Sequence, residues 1–326
     1  MKQKILHRVF LFLLLFLTWL DITKFLTTPV SKISEPIPIF PQIQINLLKS
    51  SQPNLVHDAL QETGKMLLRY FVPHLAHEPW QTDFVFINLL PNDEPEVALA
   101  LSLPPEKGII IILQKRTNYY FIVSYQEHFF PISKLEVLPF KNKQDFLVTK
   151  EEQDNILNKS SLVKIWFWNE NNLQETFSEN ISWEITWFDF TAETQKWYHL
   201  QQNLNLTYHH SAEKISITTE GEQQFSEVPL KNTIFPLFYT YDASLPNTIL
   251  KNRPLLQEYY WDDYWQKFIL QTCFYHPPGE ATPQEVAILK DLSQHLKSLA
   301  FEKEEQYQVI NKKKEIFSFN KNSLIN

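Results

Sequence analysis

The run Tyr259, Tyr260, Trp261, Asp262, Asp263, Tyr264 and Trp265 is where this chain concentrates groups able to do chemistry. Aromatic rings stack on sugar faces, and carboxylates bind hydroxyls or serve as acid and base in glycoside hydrolysis. The spacing restrains that reading. Adjacent aspartates on a strand point to opposite faces, whereas a glycosidase holds two carboxylates facing each other across one substrate. Tyr260, Trp261, Asp262, Asp263 and Trp265 therefore stand as a candidate binding set, and no residue stands as catalytic. The competing expectation places the tryptophans in a core around a short turn, with the aspartates at its surface.

The other groupings promise less. His74, His77 and Glu78 lie between Pro73 and Pro79, which weaken the helix that would align two imidazoles. His209 and His210 are neighbours at an expected hairpin end, where they diverge. Residues 151–155, EEQDN, lack the alternating ligands and the glycine of a calcium loop and read as a solvated loop. No metal and no cofactor is expected. Asn158, Asn180 and Asn205 begin glycosylation acceptor patterns, which matter only in a host that glycosylates exported proteins.

Composition removes whole classes of function. Four glycines, Gly64, Gly108, Gly221 and Gly279, are too few and too scattered for a phosphate-cradling loop, a dinucleotide-binding turn or a nucleophile elbow. Cys273 is the single cysteine, so neither an internal disulfide nor a thiolate zinc cluster exists. The chain carries −7; residues 1–26, with Lys2, Lys4, Arg8 and Lys24 against Asp21, carry +3, which leaves −10 for the remainder. So acidic a body repels phosphate backbones, and no nucleic-acid partner is expected. Lys312, Lys313 and Lys314 read as a solvated turn between Tyr307–Ile310 and Glu315–Phe319.

The elements that would position these residues begin at a membrane. Lys2, Lys4 and Arg8 precede twelve uncharged residues, Val9 to Leu20, ten of them Val, Leu or Phe. At roughly −0.3 to −0.6 kcal/mol each, these favour the bilayer by several kcal/mol. Residues 5–26 approach the ~20 needed to span it if Arg8 and Lys24 extend their charges to the interfaces. No small-x-small cleavage site follows Leu20. Residues 1–26 are thus expected to be an uncleaved, single-pass signal-anchor with a cytoplasmic N-terminus; the alternative is secretion after cleavage. Residues 27–50, with Pro29, Pro36, Pro38 and Pro41, read as an extended extracytoplasmic stalk.

Residues 51–326 read as an extracytoplasmic β-rich domain, with a conceivable division into two subdomains near 190–200. Leu55, Val56, Ala59, Leu60, Thr63, Met66, Leu67, Tyr70 and Phe71 recur at helical spacing and stop before Pro73. From Asp83 to about Phe274 the period is that of strands, with 97–113, 119–125, 162–168, 181–188, 204–208 and 214–218 forming a meander. Ile181, Trp183, Ile185 and Trp187 share one face of their strand and Ser182, Glu184 and Thr186 the other. Thr282-Pro283-Gln284-Glu285 fits a capping box, and Val286, Leu289, Leu292, Leu296 and Leu299 extend it as a second amphipathic helix. The fold class is therefore mainly β (α+β), an antiparallel meander with an amphipathic helix near each end behind an N-terminal membrane segment. VLPFKNKQDFLVTKEE with LVKIWFW resembles a blade of secreted integrin-type β-propellers, but that family's calcium-loop glycines and aspartates are missing and no family is assigned.

These readings converge on a membrane-anchored binding or assembly module of a cell envelope, with an envelope protein or a glycan as partner and no sign of catalysis. The alternative is an extracytoplasmic glycan-acting hydrolase or carbohydrate-binding domain using Tyr259 to Trp265. The anchor makes a direct prediction: the chain stays in the membrane fraction with its N-terminus intact. Mass spectrometry finding a mature start between Asp21 and Glu35 would refute it.

Overall fold

The computed structural model describes residues 39–325 apart from 76–79, 91–93, 104–106, 141–143, 156, 171, 190–195, 212–213, 229–246, 276, 278–281 and 302–304. The expected anchor, the stalk up to Pro38, and His77 with Glu78 lie outside the described residues.

Val97 to Leu103 and Ile109 to Leu113 are apolar at nearly every position, the pattern of strands covered on both faces. They form the centre of a five-stranded antiparallel sheet. Its strands are β1 (Ile39–Pro41), β2 (Gln81–Ile87), β3 (Glu96–Leu103), β4 (Lys107–Arg116) and β5 (Tyr119–Phe129), in the order β1-β5-β4-β3-β2. Two helices cover one face: α1 (Gln42–Leu47) and α2 (Pro53–Phe71). Leu67 and Leu68 of α2 pack there with Val97, Leu99, Leu101, Ile109, Ile111 and Leu113. The intervening residues, Ala98, Ala100, Ile110 and Ile112, face Phe129, Leu147, Trp166 and Trp168 on the other side. Helix α2 begins with Pro53 at its first turn and ends just before Pro73, as its spacing predicts. Residues 39–48, assigned by sequence to the stalk, instead bury Phe40, Ile45 and Leu48 in this first core.

The second sheet is an unbroken meander. Strands β6 (Ile132–Pro139), β7 (Asp145–Asp154), β8 (Asn158–Asn169), β9 (Asn172–Asp189), β10 (Lys196–His210), β11 (Ile215–Val228), β12 (Thr248–Asp262) and β13 (Lys267–Ile269) pair in chain order, all antiparallel. The two sides of residues 190–200 pair within this one sheet, Ser182–Asp189 with Lys196–Asn203. Ile39–Asn326 is a single compact unit. The blade-like stretch lies on β6 to β8, inside this continuous sheet.

The sheet rolls on itself. Phe146 on β7 and Trp261 on β12 are five strand spacings apart, about 24 Å if the sheet were flat; their ring centroids lie 4.9 Å apart. Phe167 and Phe268 join them at 5.1 and 5.5 Å from Trp261. The roll has a fork in it. Strand β9 pairs with β8 from Asn172 to Ile185, yet with β10 only from Ser182 onward. Register irregularities against β8 at Ser161/Leu162 and Ile165/Trp166 bend β9 where it leaves β10. Phe177 and Ile181 on β9, with Leu206 and Tyr208 on β10, fill the gap between the prongs. Gly221 on β11 lies opposite this divergence, where a Cβ would come within 2.0 Å of the Asn203 carbonyl oxygen.

A third sheet, ordered β17-β16-β15-β14-β18, uses β14 (Gln271–Tyr275), β15 (Gln284–Asp291), β16 (Gln306–Asn311), β17 (Ile316–Asn320) and β18 (Leu324–Ile325). Here the structure corrects the expected second helix. Gln284–Asp291 is a strand, paired with β14 and β16, followed by 3₁₀ turns at Leu292–Gln294 and Leu296–Leu299. Val286 and Ile288 are buried on one face and Ala287 on the other, so a strand buried on both sides imitated helical spacing. No capping box forms: Gln284 and Glu285 stand opposite Tyr275 and Phe274 in the ladder. Among the described residues the α-helices number two, and no helix is long and apolar enough to cross a membrane.

Residues 151–155 are corrected as well. Glu151 lies on β7, fully buried, with Lys164 Nζ 3.0 Å from its carboxylate and the Phe130 amide donating to it at 3.1 Å. The alternation of β7 carries it inward between the first two sheets.

The prediction from the roll is that Phe146→Ala, which empties a fully buried ring site, lowers stability by about 3–5 kcal/mol. A denaturant midpoint within experimental error of wild type would show that the aromatic closure is dispensable.

Candidate ligand cavity in the fork of the rolled sheet

The β12–β13 turn brings the sequence candidates together but sends their rings into separate cores. Trp261 is 9% exposed and packs in the rolled core with Tyr259; Trp265, 2% exposed, packs on the other side with Ile269, Ala287 and the partly buried Tyr260. No shared stacking platform results. The aspartates are engaged by the turn itself. Asp262 Oδ1 accepts from the Tyr264 and Trp265 amides at 2.9 and 3.0 Å, and Asp263 Oδ1 accepts from Trp261 Nε1 at 2.7 Å. Gln266, at φ 52°, completes the turn with its amide on the Asp262 carbonyl. Tyr264, 60% exposed, is the outlying ring.

The histidines do not assemble. His74 sits in a 3₁₀ turn, Pro73–Leu75, and His209 shares a hydrogen bond with Thr218 at 3.0 Å at the exposed end of β10. Among the described residues no group of three or more His, Cys, Asp or Glu side chains could hold a metal.

The fork creates a different site. From Asn172 to Ile181, β9 pairs with β8 on one side and, among the described residues, with no strand on the other. Backbone carbonyls on such an edge need donors, since an unpaired buried carbonyl is costly. Side chains supply them. Lys267 on β13 donates to the Glu175 carbonyl, Lys290 on β15 to that of Ser178, and Gln202 on β10 to that of Asn180. Gln202 accepts in turn from Gln223, whose Oε1 accepts from Arg253 Nε at 2.6 Å. Arg253 then holds the Ser293 and His295 carbonyls at 2.8 and 3.1 Å, so one cross-strand ladder ties the fork to the 3₁₀ turns.

Beside the capped edge lies a cavity of about 320 Å³, bounded by Glu175 to Ser178, Lys267 and Phe268, Leu289 and Lys290, Gln308 and Ile316. Its charge is unevenly compensated. Burial, with Lys314 adding to it, lowers the Lys267 ammonium from its ordinary value, against an opposing pull from Glu175, which is exposed. Lys290 stands 4.0 Å from Glu179. Burial raises the Glu179 carboxyl above the ordinary carboxylate range, with Lys290, the Asn180 amide and Gln202 offsetting part of that rise. Lys314, in the expected lysine turn, donates to the Tyr264 and Trp265 carbonyls at 2.9 and 3.1 Å.

Sequence reasoning passed over Lys267 and Lys290. The available signal was a lysine inside each of two apolar runs, QKFIL and AILKD; only the fork gives those lysines an acceptor.

Glu179 carries a pH prediction. The folded chain holds its proton to higher pH than the unfolded chain, so above the ordinary carboxyl value of about 4.3 its contribution to stability falls as pH rises toward the raised value. Glu179→Gln abolishes that fall. Denaturant midpoints should show the variant gaining on wild type as pH rises above about 4.3; a difference independent of pH would contradict the assignment. No protein-family model, curated protein or solved structure matches this chain.

Proposed function

We propose that the chain is a binding module, held on the outer face of a membrane by residues 5–26, whose ligand enters the cavity in the fork of the rolled sheet. The observation that carries this reading is the pairing of an open β edge with two lysines that cap it and also line the cavity. Two lysines and Gln308 converge on the cavity beside apolar side chains, polar groups that can orient a ligand next to hydrocarbon that can cover part of it. The Gln308 side chain, on the cavity wall, makes no hydrogen bond among the described residues. The basic n-region and apolar run supply the argument for export and tethering.

The geometry favours binding over glycan hydrolysis. Asp262 and Asp263 are hydrogen-bonded within their own turn, and Trp261 and Trp265 are buried in different cores.

Native mass spectrometry of the full chain, purified from its own membrane, tests the reading. The expected result is a co-purifying small molecule of fixed mass, lost in Ile316→Trp, which fills the cavity mouth from an exposed edge position. Wild type and variant each measured at its own bare polypeptide mass, with nothing bound, would overturn it.

A further inference from the structure

We infer that this cavity takes a small amphipathic monoanion, its carboxylate held between Lys267 and Lys290 and its hydrocarbon part set against Leu289 and Ile316. The inference rests on the binding-module reading and names the class of ligand.

The charges come first. Each ammonium has three N–H donors, and each spends one on a β9 carbonyl. Lys267 has no ion pair among the described residues, and Lys290 has only the distant Glu179 contact of 4.0 Å. A partly buried ammonium with spare donors gains from an anion, and one in reach of both lysines supplies it. Burial, with Lys314 adding to it, holds Lys267 below its ordinary value although Glu175 opposes the shift, so an added anion would favour its charged form.

The walls set the rest. Leu289, partly buried, and the exposed Ile316 offer hydrocarbon surface to the cavity, which a bare inorganic anion would leave unused, while Phe177 and Phe268, 6% and 2% exposed, back it as part of the rolled core. Glu175 and Glu179 on the same stretch of β9 disfavour a second negative charge. A single carboxylate fits that balance better than a doubly charged phosphate. At about 320 Å³ the space equals roughly ten water molecules, at about 30 Å³ each, enough for a chain or ring of a few carbons behind the carboxylate.

The test uses the full chain in lipid nanodiscs, with empty nanodiscs as the blank, and follows the methyl signals of Leu289 and Ile316 by NMR. The probes are hexanoate, 1-hexanol and inorganic phosphate. The expected result is hexanoate binding at least about tenfold more tightly than 1-hexanol, the worth of one good charge-assisted contact, with phosphate shifting neither methyl. Lys290→Met should erase the preference while leaving the hexanol response. If that variant does not fold, the comparison in the wild-type protein decides alone. Equal binding of hexanol and hexanoate would overturn the anion and leave the cavity as a ligand site. Phosphate binding as well as hexanoate would overturn the hydrocarbon part. No methyl shift with any probe would overturn both this inference and the binding-module reading.

Discussion

The contact between Phe146 and Trp261 is what the rest of this structure depends on. An eight-strand meander has two open edges and, if flat, no inside. Bringing β7 against β12 through rings gives it one, without hydrogen bonds joining the first strand to the last. Aromatic side chains suit this because each buries a large apolar area and packs edge-to-face at 4.5–7 Å separations. Phe140, Phe146, Phe167, Phe177, Tyr259, Trp261 and Phe268 all take part. The aromatic richness of the chain thus has a structural use before it has a chemical one.

Closing a sheet by side chains leaves backbone groups to satisfy, and the molecule does so with a consistent device. At the junction of the first two sheets, carboxylates accept from main-chain amides: Asp83 from Leu135 at 2.7 Å, Glu96 from Leu89 at 3.0 Å, and Asp145 from Asn88 at 3.0 Å. Ser102 both donates to and accepts from the backbone of Ile132. At the fork the polarity reverses, and cationic or amide donors cap carbonyls. A satisfied buried polar group fixes one arrangement and penalises the alternatives, since losing a partner exposes the full desolvation penalty. These staples therefore set how the layers register, while the apolar cores supply the driving force.

The fork connects this architecture to the proposed ligand site. Bending β9 away from β10 makes room for Phe177 and Leu206 in the core, and the same bend strips β9 of its second neighbour. The lysines that repair the edge are thereby drawn into a partly buried space with unspent donors. A site that arises this way has its polar groups fixed by structural hydrogen bonds, so little reorganisation accompanies binding.

How much was legible in the sequence follows from the range of the forces involved. The strand periods from Asp83 to Phe274, and helix α2 with its stop before Pro73, reflect local pattern. Local pattern could not separate strand from helix at Val286 to Leu299, because a segment buried on both faces loses its period and the partner strands decide. Nor could it place Glu151 inside, since its partner Lys164 is supplied by the neighbouring strand. Asp262 and Asp263 drew attention by type, yet the turn they cap engages them, whereas Lys267 and Lys290 drew none. Residue type and spacing determined that the body is mainly antiparallel β. Which groups share a cavity was decided by the roll and the fork, because strands remote in sequence meet only when the sheet closes on its aromatic core.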